Sequence, residues 1–110
     1  MSHKDVYRVV SQHVPVSHME WPNDSAPDLP WALYHGEDTP VSAGDVQIAV
    51  RRRWTVELYE KRRDKDLEKA LADSLRSEFG SVHREESYVE NDNMLEVIFT
   101  FYQIEGDFDG

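Results

Sequence analysis

The stretch VQIAVRRRWTVELYEKRRDKDLEKALADSLRSEFG, residues 46–80, changes its hydrophobic period halfway along, and that change decides the fold. From Val46 the even positions read Val, Ile, Val, Arg, Trp, Val, Leu, and the odd positions read Gln, Ala, Arg, Arg, Thr, Glu, Tyr. Successive side chains of an extended chain point to opposite faces, so this pattern predicts a long strand with one buried face. At Asp64 the period lengthens. Leu67, Ala70, Leu71, Leu75 and Phe79 trace one helical face, Asp64 is placed as its N-cap, and Gly80 supplies the stop.

Working outward, residues 2–14 place Val6, Val9, Val10 and His13 at helical spacing, with Ser2 as N-cap, Asp5 in the first turn and Pro15 as terminator. A brief strand, VSHMEW, follows. Residues 22–30 carry three prolines and read as a loop. Residues 31–34 form a strand ending at His35-Gly36, and TPVSAG, residues 39–44, reads as a further loop. Beyond the second helix, HREESYVE and MLEVIFTFYQI flank a turn at NDN and make an antiparallel hairpin. The fold class is therefore α+β: a mostly antiparallel sheet with a long central strand, one amphipathic helix on a face, a short N-terminal helix and a C-terminal hairpin. The expected core joins Val46, Ile48, Val50, Trp54, Val56 and Leu58 to Leu67, Leu71, Leu75, Val97, Phe99 and Phe101.

The 110 residues suit a single domain, 1–110, with 106–110 as a frayed tail. The chain has no cysteine, so neither a disulfide framework nor a thiolate metal site is available. No apolar run approaches the ~20 residues of a membrane span, and the first residues lack a signal-peptide core, which implies a protein made in the cytoplasm. The net charge of −10 argues against sequence-independent nucleic-acid binding. Yet eight of the twelve basic side chains fall within residues 51–69, whereas residues 85–110 hold eight acids and no lysine or arginine. Such complementary segments can meet within a subunit or between subunits. Arg51 and Arg53 share the polar face of the strand, and Glu85, Glu90 and Glu96 are their candidate partners. Arg52 falls on the apolar face, where an unpaired guanidinium would cost several kcal/mol unless the strand overhangs the core.

Catalytic signatures are sparse. The five histidines are scattered, no residue set has metal-ligand spacing, and no phosphate-cradling loop is present. The chain is accordingly expected to be no enzyme and to hold no metal or cofactor. His35 beside Glu37 and Asp38 is the best candidate for a base. Trp21 and Trp31, which flank the proline loop, are candidates for partner docking.

The segments LPWALYHGED, VELYEKRRDKDLEKALADSL and LEVIFTFYQIE together resemble the tail terminator, or tail completion, proteins of long-tailed bacteriophages. The resemblance covers residues 29–105 and is most specific at Glu57-Leu58-Tyr59 with the charged corner and helix that follow. Glu60 and the triple arginine 51–53 depart from the family pattern. The resemblance implies a virion protein of the tail–neck junction that forms a hexameric ring, caps the tail tube and docks to a neck or head-closure protein. DNA would pass through its lumen without specific binding, and Glu37, Asp38, Glu85 and Glu86 are the candidate lumen acids. The alternatives are an acidic mimic of DNA that inhibits a basic protein, and another phage neck or head-closure protein.

Overall fold

The computed structural model describes residues 3–22, 25–89 and 93–106. Helix α1 (His3–Ser11) leads to β1 (Val16–His18), β2 (Trp31–Ala43) and β3 (Val46–Glu60). Helix α2 (Lys65–Phe79), β4 (His83–Val89) and β5 (Met94–Gly106) complete the chain. The five strands form one sheet in the order β1-β2-β3-β5-β4, antiparallel except where β1 lies parallel to β2. This is the expected α+β architecture, with β3 at its centre.

The start and stop signals of α2 act as read from the sequence. The Asp64 side chain accepts a 3.0 Å hydrogen bond from the Leu67 N–H, and Gly80 takes a φ of 90° with its N–H on the Arg76 carbonyl. Ser2, the proposed cap of α1, lies outside the described residues, as do residues 90–92 of the C-terminal turn and 107–110 of the tail.

Both helices cover the same face of the sheet. The core joins Val6, Val9, Val10 and Val14 of the N-terminal segment to Ala32, Tyr34, Trp54, Val56, Leu58, Val97, Phe99 and Phe101 of the sheet and Leu71, Ala72 and Leu75 of α2. Two corrections follow. Ala70 is exposed while Ala72 and Glu68 are buried, so the inward face of α2 runs through residues 68, 71, 72 and 75, with Leu67 at its margin. Val46 and Ile48 are exposed and Val50 is only half-buried, because the core ends at Trp54 and the outer half of β3 overhangs it.

A third expectation also fails, the strand end at His35-Gly36 with the loop at 39–44: residues 36–43 are strand. Those residues continue β2 and pair with β3 as far as Ala43↔Val46, closing on a two-residue turn in which Gly44 takes a φ of 63°. Pro40 suggested a loop, but β1 reaches only to Tyr34, so the outer part of β2 is an edge, where a missing N–H is tolerated. Gly36 is likewise no turn. It lies opposite Trp54, and a Cβ there would stand 2.9 Å from Trp54 Cζ3. The absent side chain makes room for the indole.

Gly36→Ala should therefore cost ~1–3 kcal/mol by overpacking against a buried ring. Leu71→Ala, at a fully buried position of α2, should cost ~2–5 kcal/mol. Urea unfolding of the two variants checks both values.

Candidate functional site

The face of the sheet opposite the helices carries the odd residues of β2 and β3 and their partners on β5 and β4. Register brings Arg51, Arg53, Thr55, Glu57 and Tyr59 beside Ile104, Tyr102, Thr100, Ile98 and Glu96. Of the candidate contact residues, Arg51, Arg53, Glu85, Glu96 and Trp31 all share this uncovered face. Glu90 lies outside the described residues.

Among the described residues, Arg51 and Arg53 do not pair with Glu85 or Glu96. Arg53 Nη2 donates to Glu37 Oε2 at 2.6 Å across the strand pair, and the Arg51 guanidinium stacks over the Tyr102 ring at 4.1 Å from its centroid. Glu85 faces His83 at 3.1 Å, and Glu96 accepts from Tyr59 and Ser87. Arg53 and Glu85 nevertheless line one shallow depression of about 490 Å³ together with Thr55, Ile98 and Tyr102. A smaller hollow of about 160 Å³ beside it is lined by Glu37, Thr39, Arg51, Arg53 and Tyr102.

Arg52, on the other face, answers its own difficulty. It overhangs the core and forks onto Asp38, with Nε 2.6 Å from Oδ1 and Nη2 3.1 Å from Oδ2. The guanidinium holds the Asp38 carboxyl below the usual carboxylate range. The basic segment is thus not one place. Arg51, Arg52 and Arg53 stand on the overhang, and Lys61, Arg62 and Arg63 stand ~26 Å further along, at the strand-to-helix corner.

The four lumen acids also divide. Glu37 and Glu85 lie on the uncovered face, while Asp38 and Glu86 lie on the helix side, where Glu86 accepts from Arg63 and Arg84. His35 sits 3.7 Å from Glu57, Glu37 is held by Arg53 and Asp38 by Arg52, so the three residues of the candidate base site do not converge on one point. Among the described residues no group of three or more His, Asp or Glu side chains is placed to hold a metal ion, and no helix is long and apolar enough to cross a membrane.

Trp21 and Trp31 meet each other rather than standing open. Their rings are edge-on at 5.9 Å, and Trp31 packs on Tyr59 at 4.7 Å, leaving both tryptophans half-buried. The Tyr59 hydroxyl lies 2.7 Å from Glu57 Oε2 and 2.5 Å from Glu96 Oε2. Burial first, then these hydrogen bonds, push its pKa well above the ordinary value, so the hydroxyl stays a donor between two carboxylates.

Two charged residues escaped the sequence reading. Glu60 and Glu68 are fully buried where β3, α2 and β4 meet. The signal existed: Glu60 continues the even, apolar series Trp54, Val56, Leu58, and Glu68 stands one helical turn before Leu71 and Ala72.

Compared with models of known protein families and with curated protein sequences, the chain matches none.

Tyr59→Phe removes the hydroxyl that lies between Glu57 and Glu96 and should destabilise the fold by ~1–3 kcal/mol, measured by chemical denaturation at neutral pH.

Proposed function

We propose that this chain is a structural subunit of a phage tail terminator ring that caps the head-proximal end of a tail tube and joins it to the neck. The resemblance of residues 29–105 to that family supplies the reading. The observation that carries it further is the polarity of the uncovered face. Among the described residues its outer half, on the overhang, holds Arg51 and Arg53 against Glu37, and its inner half holds Glu57, Glu85 and Glu96. Tyr102 and Ile104 lie exposed on the outer half.

A ring of identical subunits needs a heterologous contact, in which one patch of each copy meets a different patch of the next. A face divided into cationic and anionic halves suits such a head-to-tail contact and fixes its direction, because the reverse pairing sets like charges against each other. The overhang supplies reach. The radius of gyration is 15.6 Å, against ~13 Å for an isometric domain of this length. In this reading DNA crosses the lumen without being held, which suits a subunit of net charge −10.

Sedimentation velocity at moderate salt tests the reading. The wild-type chain should assemble to a hexamer that negative-stain images show as a ring. The double variant Arg51→Glu, Arg53→Glu should sediment as a folded monomer, with partial recovery on adding Glu85→Lys or Glu96→Lys. A double variant that still forms the hexamer removes the arginines from the contact, and a wild-type chain that stays monomeric with and without tail tubes removes the ring.

A further inference from the structure

We propose that Glu60 and Glu68 hold one proton between them, in a buried proton-binding site that locks the end of β3 to the start of α2 and releases that lock as the pH rises. The site is independent of ring assembly and rests on the accounting of four carboxyl oxygens. Glu60 Oε2 accepts a 2.9 Å hydrogen bond from the Asp64 N–H. Glu68 Oε1 accepts from Arg84 Nη2 and lies 3.8 Å from Arg63 Nε. The remaining two oxygens, Glu60 Oε1 and Glu68 Oε2, are buried and have no donor, and the two carboxyl groups are near enough for a hydrogen bond to join them. Two carboxylates cannot make that bond. A carboxyl and a carboxylate can, and a single proton then satisfies both orphaned oxygens.

The surroundings assign the proton to Glu60. Glu68 receives two guanidinium groups, which favour its anion, whereas Glu60 receives one backbone N–H and no cation. Charge balance agrees. Glu68 and Glu86 share Arg63 and Arg84, two acids against two cations, so a charge on Glu60 would be in excess, and one proton cancels it. Other groups face the pair as well. Asp64, exposed and capping α2, adds a repulsion that favours the neutral Glu60, Leu95 of β5 lies opposite Glu60, and Lys61 and Arg62, both exposed, line a cavity of about 210 Å³ with Glu60, Asp64, Leu29 and Pro30. Burial first, and the hydrogen bond with Glu68 second, push the Glu60 carboxyl up to about 7, opposed by the Asp64 N–H.

The sign of the pH dependence follows. The folded chain keeps a proton that the unfolded chain releases at the ordinary value of 4.5, so this site's contribution is full below that pH and is lost as the pH climbs through about 7. Glu60→Gln keeps an acceptor for the Asp64 N–H and a donor for Glu68 but cannot ionise. Its unfolding midpoint should lack the wild-type fall between pH 4.5 and about pH 7, the interval between the two pKa values, and should exceed the wild-type midpoint at the alkaline end. At that same alkaline pH the amides of Asp64, Leu67 and Glu68 should exchange with deuterium faster in the wild type than in Glu60→Gln. Glu68→Gln removes the buried one of the two anions that Arg63 and Arg84 share and should lower the midpoint throughout.

Carbon-13 titration of the wild-type carboxyl groups supplies a readout that no variant can confound: Glu60 should change state near neutrality. Parallel midpoint curves for the wild type and Glu60→Gln would overturn the proposal, as would a Glu60 resonance that titrates in the ordinary acid range. Flattening by Glu68→Gln alone would overturn the assignment of the proton to Glu60.

Discussion

The structure depends on one mismatch of length. Strand β3 and helix α2 have 15 residues each, but the strand extends ~50 Å and the helix only ~22 Å. A helix laid on such a strand can cover less than half of it, and the sheet beyond Trp54 has no second layer. The apolar alternation that makes a core near α2 therefore gives way, along the same strand, to charged and aromatic side chains. The molecule's longest dimension, 48 Å, is in effect the length of β3.

Where no core exists, something else must fix the register of β2 and β5 against β3, since a slip of one residue there would bury nothing wrongly. Three adjacent contacts do this. Arg52 with Asp38 and Arg53 with Glu37 join directly opposed residues, and Arg51 stacks on Tyr102 of β5, the cross-strand neighbour of Arg53. Being exposed, the ion pairs add little to stability. Their role is to choose one alignment among several of similar energy. This accounts for part of the cationic cluster that an acidic chain keeps, and it leaves the uncovered side of the same arginines available to a neighbour.

Much of the fold was legible because it rests on local signals. The period change at Asp64, its capping carboxylate and Gly80 defined α2 to within a residue, and the alternation in residues 94–104 marked β5. What failed shares one cause: the sequence does not say where a core stops. Val46 and Ile48 alternate as if buried, yet they stand exposed on the overhang. Gly36 and Pro40 resemble loop residues until their neighbours are known, one lying under Trp54 and the other on an open edge. Of the candidate site, the arginines and the acids Glu85 and Glu96 were found on one face, but the pairings were not. Arg53 takes Glu37, a residue first read as lying beyond the end of a strand, and Glu60 with Glu68 meets only through tertiary packing.

The overhang has a further consequence for solubility. Its two edges are bare among the described residues, because β1 stops at Tyr34 on one side and β4 stops opposite Thr100 on the other. Bare edges invite strand addition and, with it, fibrous aggregation. The β2 edge is defended by Pro40, which offers no donor, and by the kink in register between Val41 and Ser42. The β5 edge beyond Thr100 has neither proline nor bulge, and it carries the exposed side chains of Tyr102 and Ile104. Concentrated solutions of the protein will therefore clump through β5 first, and a charged residue at Ile104 is the substitution that would keep them clear.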